Sequence, residues 1–156
     1  DATRYTNPST TFKDYLTIYA NGAIAKGATP VFITSIPRNN WSSTGVQTAH
    51  KPYSDSMKAL GTALQVPVLD MEASTMAYLN SKGKTYATDS VFNNLAANVW
   101  PNYLTGNSDG THLQENGAFQ FARTLTSDFK NHTQYAKVVR LAANLRDAHL
   151  YPVLNL

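Results

Sequence analysis

The 156 residues contain no cysteine, which excludes a disulfide framework and any thiolate metal site. Glutamate is almost as scarce. Glu72 and Glu115 are the whole supply, and the net charge of +3 comes from that shortage rather than from clustered lysines and arginines. With no basic stripe, the chain has no nucleic-acid footprint. Long apolar runs are also missing: Thr, Asn, Lys or Asp interrupts each one well short of the ~18 residues that a membrane-spanning helix needs. Neither nucleic acid nor a membrane is therefore expected as a partner. What remains is 42% hydrophobic, 15% charged and 11% aromatic, the profile of one ordered globular domain. Ser, Thr and Asn are plentiful, and Asn40-Trp41-Ser42 and Asn131-His132-Thr133 fit the glycosylation acceptor pattern, which points to a secreted protein. The opening Asp1-Ala2-Thr3-Arg4-Tyr5 has no initiator or leader character, so the chain is expected to begin inside a longer protein.

Hydrophobic spacing supplies the elements. Phe12, Tyr15, Leu16, Tyr19 and Ala23 recur at helical intervals, with Thr10 or Thr11 available as a cap and Gly27 as a stop. The β-branched and aromatic run from Val31 to Ile36 reads as a central parallel strand buried on both faces. Residues 38–51 read as a functional loop, and a helix follows over 54–65 with Met57, Leu60 and Leu64 on one side. Val66 to Asp70 forms a second strand, which Pro67 assigns to a sheet edge. A short helix over 72–81 precedes about 30 residues of little periodicity. The next helix runs from Leu113 to Phe129, with Leu113, Gly117, Ala118, Phe121, Ala122 and Leu125 on one side. A last amphipathic helix carries Tyr135, Val138, Val139, Ala142 and Leu145, and covers the sheet or joins another subunit.

Helices alternating with strands imply an α/β fold with parallel pairing. Two strands, however, cannot cover the apolar stripes of four or five helices. Either further strands lie unseen in this chain, or the rest of the sheet is on another polypeptide.

One constellation could carry chemistry. Asp109-Gly110-Thr111-His112 stands between the long polar stretch and the Leu113 helix. A carboxylate three residues before a histidine can hold one imidazole nitrogen and leave the other as a base. The same spacing also suits an Asx turn or helix cap with an ordinary histidine beside it. Ser35, at the exit of the first strand, lacks a Gly-x-Ser-x-Gly elbow and reads as a polar strand end. His50, His132 and His149 have no ligand-type spacing, so no metal site is expected. Trp41, Trp100 and Tyr103 fall in loops, where they could stack on a sugar or plug the sheet's end. Arg38 could touch an acidic sugar or simply be solvated.

The run Asp109 to Ala118 resembles the last conserved block of the SGNH, or GDSL-like, hydrolases. Arg4-Tyr5-Thr6, Thr10 to Leu16, Ala25 to Val31, Val66 to Asp70 and Trp100-Pro101-Asn102-Tyr103 agree in order with the rhamnogalacturonan acetylesterase branch. The resemblance covers residues 1 to about 130, with 131–156 as a helical extension. It implies a flavodoxin-like, three-layer α/β/α parallel sheet, here its C-terminal portion with about two strands. It further implies His112 as general base and acid, Asp109 as its orienting carboxylate, and Asp70 as a structural cap. No metal or organic cofactor is implied, and the substrate is an acetylated pectic polysaccharide. The family's Gly-Asp-Ser nucleophile block does not occur in these residues, nor do its oxyanion-hole blocks. An upstream segment or second chain carrying the serine is therefore expected as a partner. The alternatives are a non-catalytic carbohydrate-binding or structural fragment, and an SGNH esterase or lipase of another substrate class.

Overall fold

The computed structural model describes residues 5–145. Helix α1, Thr11–Ala25, opens the described chain and ends before Gly27, whose φ of +76° turns the backbone out of the helix. No hydroxyl caps its start; the Asn7 carbonyl accepts from the Thr10 and Phe12 amides instead. The buried stripe is also rotated from the expected one. Ala20 is buried and Phe12 and Leu16 half-buried, whereas Tyr15, Ile18 and Tyr19 are 54%, 64% and 75% exposed.

Strand β1, Phe32–Ile33, is much shorter than its apolar run. The loop expected over 38–51 contains a small antiparallel hairpin, β2 (Trp41–Ser42) with β3 (Gly45–Val46). Helix α2, Lys51–Leu64, begins with Pro52 in its first turn, and β4, Val68–Leu69, follows. Strands β1 and β4 pair in parallel, Phe32 opposite Val68 and Ile33 opposite Leu69, with α2 as their crossover. Phe32 and Val68 look towards α1 and α2, where Ala20, Leu60 and Val66 are buried with them. The opposite face of the pair carries Leu69, which is buried, and Ile33, which is 42% exposed. The first strand is thus buried on one face rather than two. Among the described residues its only ladder partner is β4.

Helix α3, Met71–Lys82, is capped by Asp70, whose carboxylate accepts from the Ala73 amide and also binds Thr34 Oγ1 and Lys58 Nζ. The Asp70→Ala variant is expected to lose roughly 1–2 kcal/mol in a urea unfolding measurement, because the cap and both tethers go together. The stretch expected to lack periodicity is in fact ordered. It holds α4 (Lys84–Tyr86), a single π-helical turn (Ala87–Val91), β5 (Phe92–Leu95) and β6 (Asn107–Leu113). Leu113 therefore ends a strand, and helix α5, Glu115–Asn131, starts after it. A second core forms around Leu79, Ala87, Val91 and Phe92, all fully buried, with Val46, Met71 and Phe121. Gly117 and Phe121 form the buried side of α5, while Ala118 and Ala122 are exposed. Helix α6, Ala136–Ala142, packs on α5 through buried Val138 and Ala142. No described helix is long and apolar enough to cross a membrane.

Candidate active site

The antiparallel pairing of β5 with β6 runs Leu95 to Asn107, Asn94 to Ser108 and Asn93 to Asp109, then jumps to Phe92 opposite Leu113. Gly110, Thr111 and His112 are left over, and they bulge from the ladder. Asp109 holds the bulge. Its Oδ1 accepts from the amides of Thr111 (2.8 Å) and His112 (3.0 Å), and its Oδ2 lies 2.6 Å from His112 Nδ1. One oxygen thus makes the Asx turn and the other the imidazole contact, so the two geometries that the spacing allows occur together. The backbone amides of His112 and Thr111, followed by the imidazole contact, lower the Asp109 pKa to about 2. An ionised carboxylate only accepts, so Nδ1 carries the shared proton and Nε2 is left as a base on a side chain 79% exposed.

A depressed carboxylate stabilises the bulge above its ordinary range, and the effect is lost as the pH falls through the folded-state value. The carboxyl carbon resonance of Asp109 is therefore expected to keep its ionised position down to about pH 4 and to move as the pH approaches about 2.

Both flanks of the bulge are tied down. The Asn39 amide donates to the Gly110 carbonyl (2.8 Å), its Nδ2 donates to Thr88 Oγ1 (3.1 Å), and its Oδ1 accepts from Trp41 Nε1 (2.8 Å). Space at the bulge is tight: a Cβ on Gly110 would stand 3.1 Å from the Asn39 Cβ, which would have to give by a few tenths of an ångström. At the other end the Gln114 amide donates to the Val91 carbonyl (2.8 Å), and Gln114 Nε2 donates to the carbonyls of Phe92 (2.6 Å) and Asp89 (3.1 Å). Sequence reasoning missed Asn39, Thr88 and Gln114, since no local spacing ties them to the dyad.

No family model matches the chain. Rhamnogalacturonan acetylesterase RhgT of Bacillus subtilis (strain 168) is 38% identical over 121 residues, 77% of this chain and 52% of that protein. The chain belongs to the rhamnogalacturonan acetylesterase family. The probable rhamnogalacturonan acetylesterase YesY of the same organism is 28% identical over 129 residues, 81% of this chain and 54% of that one. The chain thus spans about half the length of the curated relatives it matches. A crystal structure of Bacillus subtilis YxiM covers 80% of this chain and 33% of its own with a TM-score of 0.64 at 22% identity, a likeness of fold. The fold is accordingly that of an SGNH hydrolase, α/β with a small parallel sheet.

Within that family frame the other sequence candidates separate. Arg38 is exposed and adjoins Asn39, at the Gly110 end of the bulge. Trp41 is half-buried against the core around Val46 and Met71, and its indole nitrogen donates to Asn39 Oδ1, so it braces the Asn39 flank of the bulge. Trp100 and Tyr103 pair with each other in the loop after β5 and are 50% and 44% exposed. Trp100 alone of the three lines a shallow cleft, together with Asp89, Asn94, Leu95 and Gln114. Ser35 is half-buried past β1. His50 precedes α2, His132 stacks on Tyr135 with ring centroids 5.5 Å apart, and His149 lies outside the described residues. Among the described residues no group of three or more His, Asp or Glu could hold a metal ion.

Proposed function

We propose that this chain supplies the acid–base half of a secreted, serine-dependent esterase that removes acetyl groups from pectic rhamnogalacturonan. The observation that carries the reading is the 2.6 Å pair of His112 and Asp109, set on a bulge with the carboxylate ionised and Nε2 outward. The relatives' names supply the substrate class. A serine hydroxyl adds to the acetyl carbonyl carbon while His112 Nε2 takes its proton, giving a tetrahedral oxyanion. Collapse expels the sugar alkoxide, which receives that proton from His112 and leaves an acetyl-serine. Water then adds to the acetyl carbon with His112 again as base, and acetate departs as the serine recovers its proton. Asp109 holds the imidazole tautomer and stabilises the imidazolium.

The serine comes from polypeptide beyond these 156 residues, and the fold supports this. Among the described residues, one edge of β1 is unpaired, and α1, which leads into β1, exposes Tyr15, Ile18 and Tyr19. A right-handed crossover through α1 brings the preceding parallel strand to that open edge. To test the reading, acetate release from acetylated rhamnogalacturonan is measured for this chain alone, and with the unmatched half of the 38%-identical relative supplied separately or fused ahead of it. Release only in combination, with a serine-reactive phosphonate labelling the added half, is the expected result. Release by this chain alone, or combined release indifferent to His112→Ala, overturns it.

A further inference from the structure

We propose that Tyr86 is a nucleophilic phenol that accepts an acetyl group directly from an activated acetyl ester, without a serine and apart from the dyad. Tyr86 is half-buried at the end of α4, and its oxygen meets donors from two other helices. Tyr78 of α3 donates its hydroxyl to that oxygen (3.3 Å), and Nδ2 of Asn116 on α5 donates to it as well (3.0 Å). The orientation of the Asn116 amide is fixed, because Nδ2 also donates to the Ser90 carbonyl (3.0 Å) and Oδ1 accepts from Gln120 Nε2 (3.2 Å). The Tyr78 ring stands edge-on to Phe121, with centroids 6.3 Å apart. Lys82 Nζ, one turn along α3 from Tyr78, lies 5.8 Å from the Tyr86 ring centroid and 6.0 Å from that of Tyr78. Arg123 of α5 adds a second positive charge near the pair. The arrangement favours an anion on Tyr86 rather than on Tyr78. The bond from Tyr78, then the one from Asn116 and the Lys82 charge, hold the Tyr86 phenol below its ordinary range against the burial of its ring. Burial, followed by donation to Tyr86, pushes Tyr78 up.

A phenolate oxygen has three lone pairs. Tyr78 and Asn116 occupy two, and the third is left to add to a carbonyl carbon. The acetyl carbonyl becomes a tetrahedral oxyanion, beside which the exposed Lys82 ammonium supplies the opposite charge. Collapse breaks the bond to the leaving group, which departs as its anion, and Tyr86 keeps the acetyl as an aryl ester. The phenol's own proton has already passed to solvent. The leaving group sets the substrate class. An oxide as weakly basic as nitrophenolate is expelled ahead of the phenolate, whereas a sugar alkoxide is far more basic and the adduct reverts. The step therefore serves aryl and similarly activated acetyl esters and leaves an acetylated polysaccharide untouched, so it stands or falls apart from the esterase reading. The neighbours of Tyr86 offer no base to deacylate it: Tyr78 is a raised phenol, Asn116 an amide and Lys82 an ammonium. The adduct accumulates to one per chain.

The 156-residue chain is treated with limiting p-nitrophenyl acetate at mildly alkaline pH. The acetyl is located by peptide mass spectrometry before and after hydroxylamine, which strips aryl acetates and spares acetyl-lysine. An acetyl on the exposed His112 imidazole is lost to water and does not persist into the map. The expected result is one hydroxylamine-labile acetyl per chain, on Tyr86, formed about tenfold faster than at the exposed phenols of Tyr15 and Tyr19 in the same sample. Tyr86→Phe is expected to abolish that label. Lys82→Met removes the exposed charge and keeps the length of the stem, and Tyr78→Phe removes the donor and keeps the ring on Phe121. Each is expected to slow the label roughly three- to tenfold. In urea the preference for Tyr86 is expected to vanish. The proposal is overturned if Tyr86 labels no faster than Tyr15 and Tyr19, if Lys82→Met and Tyr78→Phe both leave its rate unchanged, or if the preference survives in urea and so belongs to the local sequence.

Discussion

The His112→Ala variant of the combined enzyme is expected to lose about 10⁴-fold in kcat, with its KM and its unfolding midpoint close to those of the native protein. The large loss follows because the imidazole is both the base that activates the serine and the acid that releases the sugar, and the bulge presents no other titratable group to replace it. The small structural cost follows from exposure. With the side chain 79% exposed and bonded only to Asp109, truncation opens no cavity, and stability moves within about 0.5 kcal/mol. Asp109→Asn divides the carboxylate's two tasks. The amide oxygen can still accept from the Thr111 and His112 amides, but the amide no longer selects the imidazole tautomer, so a comparable kcat loss is expected with the bulge preserved. The native pH profile completes the test. Asp109 is held ionised well below the usual carboxylate range, so any loss of rate above about pH 4 does not come from protonation of this carboxylate. Steady-state acetate kinetics alongside thermal unfolding would check all three, and near-native turnover in either variant would remove the dyad from the mechanism.

The dyad was legible in the sequence because its geometry is local. A carboxylate reaches an imidazole three residues on whether the backbone between them is a helix start or a bulge, so the pair survived a wrong assignment of its element. The span of α3 was legible from short-range spacing, the parallel pairing of β1 and β4 from the alternation of helices and strands, and the cap at Asp70 from the family resemblance. The segment 82–110 was not, because a π-helical turn matches neither the 3.6 nor the 2.0 period, and Asn93 and Asn94 hide the strand begun by Phe92. The clamp of Asn39 on Gly110 joins residues far apart in the chain, and no periodicity reports such a bond. On α1 the spacing showed which side chains share a stripe but not which stripe meets the core. Ala20, small enough to approach α2 and β1 closely, took the buried position ahead of the larger Tyr15 and Tyr19.

Gly117→Ala reverses the usual rule for helices. Replacing an interior helical glycine by alanine ordinarily gains about 1 kcal/mol, because the backbone entropy cost falls. At position 117 the new Cβ would lie 2.2 Å from the Val91 carbonyl oxygen, 2.9 Å from its carbon and 3.0 Å from its Cα. Those atoms are backbone of a fully buried residue at the end of the π-helical turn, so no side-chain rotation relieves them. Helix α5 must retreat instead, against the Gln114 amide bond to that same Val91 carbonyl and the Asn116 Nδ2 bond to the Ser90 carbonyl (3.0 Å). The expected cost is roughly 3 kcal/mol, or a fall in Tm of roughly 6–12 °C. Gly22 supplies the control: it lies inside α1 with nothing within 4 Å of its added Cβ, and Gly22→Ala is expected to gain up to about 1 kcal/mol. The consequence for chemistry follows from Gln114, which is bonded to Val91 and Phe92 and stands two residues from His112. A retreat of α5 by roughly 1 Å pulls that end of the bulge with it, and a misplacement of that size costs about 10²-fold in rate. Gly117→Ala is therefore expected to lower stability and kcat together, whereas His112→Ala lowers kcat alone, and the contrast separates the group that performs the chemistry from the contact that holds it in place.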